Sequence, residues 1–309
     1  MPLQTASPLH SAPAPSDPDN MRGIALMALG FFFFAAGDVQ AKVLTAHLPA
    51  LQITWFRMAG LFLGVMVALI LNRGQALRTK NPILQISRGV AAAGSATLFI
   101  IAVGHVPLAD AVAVSFVAPF IVTLLGALIL REPVGIRRWI AVAIGFCGML
   151  IVIRPGFGVF HPAILLVVLA ASLFALRQIL SRWLAGGDSA LTTVAYTSIT
   201  ATVVLTALLP FVWETPQGWQ IWLPIFGLAS CAALGEVLVI RALDIAQAVV
   251  LAPLHYSMIL WGTFYGWLVF SDLPDLWTIL GCAIIVASGL YTLHRERQAG
   301  RRKRPSEPA

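Results

Sequence analysis

Charge is scarce in this chain. Only 11% of its 309 residues are Asp, Glu, Lys or Arg, against 59% hydrophobic, and mean hydropathy is +0.88. A soluble domain is about half apolar and about a quarter charged, so a water-soluble core of this length is excluded and a set of membrane spans is indicated. Cysteine is scarce too. Cys147, Cys231 and Cys282 stand singly in apolar runs without metal-ligand spacing, and read as small buried hydrophobes. There is no His-Glu-x-x-His, and His105 and His161 lie in short loops without a Gly-x-Ser-x-Gly partner. Nor is there a nucleotide motif, a cofactor or metal fingerprint, or a large soluble segment. These absences argue against an enzyme. The net charge of +7 and pI of about 9.9 would suggest nucleic acid for a soluble protein. Here the basic residues gather in short loops and a tail, as membrane proteins place them, so no nucleic-acid partner is expected.

What is present is a series of ten apolar segments: 22–44, 51–71, 83–103, 108–130, 136–153, 162–184, 190–212, 219–241, 245–270 and 275–293. Each is long enough to cross about 30 Å of hydrocarbon as a helix. None shows the alternation a closed barrel requires. The fold class expected is therefore an all-α membrane protein of ten transmembrane helices. Residues 1–21 are proline-rich and read as a disordered tail, and 294–309 read as a basic tail. With the N-terminus inside, fifteen of the twenty Lys and Arg fall in inner segments and the tail, and Arg154 alone falls in an outer loop. That bias predicts a multi-pass protein with both termini cytoplasmic.

The chain also repeats itself. An apolar run broken by Ala118-Pro119-Phe120 leads to the charged turn Arg131-Glu132-Pro133, then to a run with Gly145 and Gly148. Roughly half a chain later come Ala252-Pro253-Leu254, the turn Ser271-Asp272-Leu273-Pro274, and a run with Gly281 and Gly289. Order, breakers and spacing agree, which predicts repeats at 22–153 and 162–293. Five spans per copy is an odd number, so the two copies must be inverted relative to each other.

These features together resemble the drug/metabolite transporter superfamily, of the EamA type, over about 22–293. The resemblance rests on the two five-helix halves and on the acidic turns at Glu132-Pro133 and Asp272. It rests also on the first hairpin, with Asp38, Lys42, Gln52, Trp55 and Arg57, and on the ending Ala287-Ser288-Gly289-Leu290-Tyr291. Asp272 stands where many members have Glu, and Leu273 is inserted before the second proline. The resemblance implies a secondary transporter in the bacterial inner membrane. It would move a small organic metabolite, such as an amino acid, a vitamin like riboflavin, or a related amphipathic solute. Coupling would be to protons or to exchange, in a monomer or homodimer surrounded by the lipid bilayer. The first hairpin and the C-terminal end look like those of some bacterial riboflavin and S-adenosylmethionine carriers. A channel or scaffold, and a membrane-embedded enzyme, are the alternatives.

Ionisable side chains inside hydrocarbon cost several kcal/mol and mark candidate sites. Asp38 and Lys42 lie four apart on one face of the first span, as an ion pair or as ligand groups. Arg57 is either a partner for Asp38 or an anchor for an anionic group. Arg88 starts the third span and can snorkel, and Asp110 complements the dipole where the fourth span begins. Arg177, deeper in the sixth, is placed to meet a carboxylate. Glu236 sits among apolar residues of the eighth span, either as a proton-exchanging acid or in a standing pair with Arg177 or Arg241. His255 and Tyr256 follow Pro253, and Phe116 and Phe120 flank Pro119; each proline removes a helical hydrogen bond and loosens its span where a cavity would lie. Between about 140–153 and 276–293 the fifth and tenth spans carry no ionisable side chain, and they are expected to be peripheral and to stay out of the transport path. Gly262 with Gly266, and Gly89 with Ala93, are expected to allow close helix crossings.

Overall fold

In hydrocarbon a continuous apolar run can satisfy its own backbone only as a helix. The computed structural model describes residues 20–71, 79–131, 135–154, 161–184, 188, 190–246 and 248–302, and every regular element among them is helical. Glu132, Pro133, the first tail to residue 19 and the second from residue 303 lie outside the described residues. The first half comprises α1 (Asn20–Leu44), α2 (Ala50–Leu71), α3 (Pro82–Val103), α4 (Leu108–Ser115), α5 (Ala118–Ile129) and α6 (Ile136–Ile153). The second comprises α7 (Ile164–Leu184), α8 (Ala190–Leu208), α9 (Trp219–Ile245), α10 (Ala248–Leu251), α11 (Ser257–Phe270) and α12 (Leu276–Arg302), with 3-10 turns at Leu209–Phe211 and Ala252–Tyr256. Seven spans are long and apolar enough to cross a membrane, α4 and α5 counting together as one. Shorter apolar helices at Trp139–Ile153 and Leu276–Tyr291, and the broken stretch from α10 to α11, bring the number to ten.

The two proline breaks take a different form from the loosening expected. Around Pro119 the chain tightens: Phe116, Val117 and Phe120 donate their N–H groups to Ala113, Val114 and Val117, three residues back. Around Pro253 five residues form a 3-10 turn. Missing i→i−4 bonds are thus replaced by i→i−3 bonds, which keeps the backbone satisfied in an apolar medium. A second difference lies at the chain's end, where α12 runs on through the basic stretch to Arg302.

Helix packing is symmetric between halves. With α4 and α5 as the fourth span and α10 with α11 as the ninth, the first packs on the eighth, and its counterpart, the sixth, packs on the third. The second meets the eighth as the seventh meets the third, and the first meets the ninth as the sixth meets the fourth. The pairs second–seventh, fourth–ninth and fifth–tenth map onto themselves. An odd number of spans per half makes this an inverted arrangement. Outward faces carry apolar side chains such as Leu63, Leu128, Phe146 and Leu268, exposed because lipid and not water lies beside them. Cys147 is on that outer surface and not buried as its surroundings in sequence suggested.

Without a hydrophobic force between helices, close backbone approach supplies the packing energy. On α1, Gly23, Gly30 and Gly37 recur every seven residues and face α9: a Cβ on Gly23 would run into Ala246, and one on Gly30 would press Val239 and Gly235. On α2, Gly60 and Gly64 face Ala229 and Ala233, four apart on the same α9. At Gly60 the obstructing atoms are backbone, which no rotamer change relieves. Gly60→Leu is therefore expected to destabilise the protein by about 2 kcal/mol or more, read as a lower Tm of the purified protein in detergent. An unchanged Tm would show that α2 and α9 are not held at backbone contact.

Candidate functional site

The eighth span, α9, carries Glu236 into the middle of the bundle between α1 and α2. Arg57 Nη1 donates to Asp38 Oδ1 at 2.6 Å, and Asp38 is only 4% exposed. Of the two roles considered for Arg57, the geometry realises pairing with Asp38. Lys42, one turn further along α1, does not join this pair. Its Nζ lies 3.4 Å from Asp272 Oδ2, donates to the Val106 carbonyl at 3.1 Å, and rests over the Phe270 ring at 4.6 Å. The same end of the bundle holds an Arg154–Asp275 ion pair, and the Thr278 hydroxyl donates to Asp110 Oδ1 at 2.9 Å. Asp110 thus ties α4 to α12 as well as sitting in the first turn of its own helix.

The opposite end has its own polar link. Asp188 accepts from the Thr79 hydroxyl and from Gln85 Nε2 at 2.8 Å. The Thr79 bond, above all, holds the Asp188 carboxyl below its ordinary pKa. Arg88 does not snorkel outward: it is buried, its Nε donates to Ser181 Oγ at 2.7 Å, and its Nη1 donates to the Thr193 carbonyl and the Thr197 hydroxyl. All its partners are on α7 and α8, so its role is to fasten α3 to the second half.

Between these ends lies the centre. Glu236 is half-buried and joins neither Arg177 nor Arg241: among the described residues it makes no hydrogen bond or ion pair, and Arg241 is exposed on the same helix. The guanidinium charges that reach Glu236 are those of Arg177, Arg88 and Arg57. Arg177 lies over the Phe174 ring at 4.6 Å, and its buried Nε has no hydrogen-bond partner. His255 meets Phe31 edge-on at 4.6 Å and lies within reach of the Arg177 charge. It is exposed beside the break in the ninth span. Tyr256 stacks on Phe116 at 5.2 Å, so the two broken spans meet ring to ring.

Phe120 and Tyr256 reveal contacts that the apolar character of the fifth and tenth spans concealed. A Cβ on Gly145 of α6 would fall inside the Phe120 ring, and one on Gly289 of α12 would overlap the Tyr256 hydroxyl. Those spans are peripheral, but each supplies a glycine seat for an aromatic of the central breaks. The expected close crossings are partly realised: Gly262 meets Val112 of α4 and Gly89 meets Thr200 of α8, whereas Gly266 faces only its own chain at Asp272. Sequence reasoning missed Gly60 and Gly64 and the α1 glycines, although their spacings of four and seven were available in the sequence.

A buried pair costs most when one partner is removed. Arg57→Gln leaves Asp38, the more enclosed partner, without its counter-charge, and is expected to destabilise by about 3 kcal/mol. Asp38→Asn should cost less, and the double substitution should recover part of the loss. Thermal unfolding of the four proteins in detergent checks this, and strictly additive losses would show the pair to be uncoupled.

The sequence model of the EamA-like transporter family matches twice, over residues 21–154 and 161–293. An S-adenosylmethionine uptake transporter of Rickettsia felis is 27% identical over 287 residues, covering 93% of this chain and 97% of that protein. A riboflavin transporter of Vibrio cholerae is 33% identical over 201 residues, covering 64% and 67%. A pseudopaline exporter of Pseudomonas aeruginosa is 28% identical over 272 residues, covering 86% and 94%. One solved crystal structure aligns with a TM-score of 0.61 at 16% identity, covering 88% of this chain and 97% of that one, a likeness of fold.

Proposed function

Since the chain belongs to the EamA-like transporter family, we propose that it carries a small organic metabolite across the bacterial inner membrane by alternating access. The carrying observation is that the two tightened proline breaks meet ring to ring at Phe116 and Tyr256, with polar links at either end of the bundle. Helices interrupted at mid-membrane, in two inverted halves, give a binding place that the halves can expose to each side in turn. The substrate space is bounded by Phe31, Phe116, Arg177, Glu236, His255 and Tyr256. The relatives named as transporters of S-adenosylmethionine, riboflavin and pseudopaline support a metabolite with polar and extended parts. One chain contains both halves and so constitutes a transport unit, alone or within a homodimer.

Counterflow in proteoliposomes tests the reading. Vesicles loaded with an unlabelled substrate should accelerate uptake of the labelled form; a channel equilibrates it without that acceleration. Energy comes from a proton gradient or from solute exchange, with Glu236 as the group that exchanges the proton. Glu236→Gln keeps nearly the same shape, and should abolish accumulation driven by a pH gradient. If the variant still concentrates solute on such a gradient, Glu236 is not the coupling group.

Both termini lie in the cytoplasm on this reading, supported by the fifteen inner basic residues against Arg154 outside. The Lys42–Asp272 link is then at the outer end and the Asp188 link at the inner end. A C-terminal alkaline phosphatase fusion should be inactive, whereas a fluorescent-protein fusion at the same point should fluoresce. An active phosphatase would reverse the orientation.

A further inference from the structure

A groove with a volume of about 620 Å³ runs down the outside of the bundle between α1, α9 and α11. Val43 and Val269 in its wall adjoin Lys42 and Phe270 in sequence, which puts it at the Lys42–Asp272 end. The other apolar walls are Val39 of α1 and Leu223 and Phe226 of α9. Leu223, Phe226 and Val269 are exposed, so the groove is continuous with the lipid-facing surface. Trp213, Trp219 and Trp222 are exposed around the start of α9, as aromatic residues are at the headgroup level of a bilayer. Trp219 and Ser230 both line the groove. Between them the helix rises about 16 Å, half the depth of a hydrocarbon core of about 30 Å. The groove therefore has the depth of one leaflet.

Two hydrogen-bond acceptors lie in this apolar setting. Pro224 stands inside α9 and has no N–H, so the Gln220 carbonyl, four residues back, lacks its helical donor. At Pro119 and Pro253 the chain makes 3-10 bonds instead, but α9 runs through Pro224 as α-helix. Gln220 and Pro224 both line the groove, which puts the freed carbonyl on its floor. The second acceptor is Gln40 Oε1. Gln40 Nε2 donates to the Ala36 carbonyl at 3.1 Å and to Cys231 Sγ at 3.4 Å, while Oε1 receives no hydrogen bond among the described residues. It occupies the place a Cβ would take on Gly227. A carbonyl left without a donor beside hydrocarbon is costly. Just above, the first N–H groups of α9 are also free, since Gly218 supplies no side-chain cap.

We propose that the groove binds one phospholipid with a primary ammonium headgroup, phosphatidylethanolamine. An acyl chain lies along the apolar walls, the phosphate meets the free N–H groups at the start of α9, and the ammonium donates to the Gln220 carbonyl. A helix start favours an anion, and an ammonium has three N–H donors and accepts nothing. A zwitterionic head with both groups thus complements a free donor edge beside a free acceptor. A compact solute would fill only part of a groove one leaflet deep. The inference goes beyond the transport reading. It needs the chain's place in a bilayer but neither its substrate nor its coupling.

The test uses the full-length protein, stripped of lipid in detergent and titrated with dioleoyl phosphatidylethanolamine, phosphatidylcholine or phosphatidylglycerol. Phosphatidylcholine keeps the charges but has no N–H, and phosphatidylglycerol has no ammonium. Native mass spectrometry counts the lipids bound. The first phosphatidylethanolamine should bind about tenfold more tightly than either of the others, the worth of one charge-assisted hydrogen bond. Pro224→Ala returns an N–H donor to the Gln220 carbonyl. It should level the three lipids while Tm stays the same or rises, so that lost selectivity is not misfolding. Ser230→Trp fills the deep end of the groove and should weaken all three. The proposal is overturned if the three lipids bind alike to the wild type, if Pro224→Ala keeps the preference, or if Ser230→Trp takes up lipid as the wild type does. Unchanged lipid uptake by Ser230→Trp with loss of riboflavin counterflow would assign the groove to a solute entering from the side. Unchanged uptake with a dimer split by the same substitution would assign it to a second copy. Either result overturns the lipid site.

Discussion

Between α9 and its neighbours α1 and α2 there is almost no side-chain volume. Gly23 and Gly30 on one side, and Gly60 and Gly64 on the other, bring the three backbones together. In a bilayer this closeness is the main source of attraction between helices, since lipid is as apolar as the side chains it would replace. The consequence reaches the site directly. Glu236 follows Gly235, whose own missing Cβ leaves room for the Phe34 ring of α1. The carboxyl is therefore carried on a helix clamped from two sides, at a height fixed by those contacts.

The polar links at the two ends follow the same inverted plan. Gln52, near the start of α2, both donates to and accepts from the Glu214 backbone, which joins the first hairpin to the loop before α9. Gln85, near the start of α3, reaches Asp188 in the loop before α8, with Thr79 beside it. Each link spans from one half to the other, at opposite ends of the bundle. Such links hold partners together strongly only where water is excluded, and Gln52 and Gln85 are both fully buried. The Lys42–Asp272 pair is a weaker tie, longer at 3.4 Å and with Asp272 substantially exposed. An ion pair of that kind can break and reform at little cost, which suits a contact that has to open. Buried amide links at fixed positions suit the opposite task, of keeping the halves in register.

Much of the fold was legible from the residues alone. The ten spans, the repeat and the break positions follow from apolar runs and two prolines, because hydrocarbon permits few alternatives. Individual partners were less legible. Asp38 and Lys42 share a helical face, which suggested a pair, yet Lys42 is bonded to an aspartate 230 residues away. No local rule reports such a distance. Arg88 looked like a boundary residue free to snorkel, and only its hydroxyl partners on α7 and α8 show why it stays inside. The α1 glycines were readable in principle at a seven-residue period. They were overlooked because isolated glycines in a long apolar run resemble ordinary small packing residues. Glu236 shows the reverse case: an acid in an apolar helix implied a partner, and the structure brings charges near it without supplying one.

The glycine seats give the fifth and tenth spans a part in this arrangement. A broken helix would normally be free to vary at its break, since the missing bonds no longer fix it. Here each break carries an aromatic that occupies the place a Cβ would take on a neighbouring glycine: Phe120 on Gly145, and Tyr256 on Gly289. Gly148 and Gly281 then lock α6 and α12 to each other, each facing the other's backbone. The Ser288 hydroxyl adds a bond of 2.6 Å to the Ala141 carbonyl across the same interface. The two breaks are thus connected twice: through the ring stack of Phe116 on Tyr256 at the centre, and through the α6–α12 interface at the periphery. Contact between the two broken spans therefore runs by both routes. That gives the two breaks a shared support, and it gives the apolar stretches of the fifth and tenth spans a fixed place beside them.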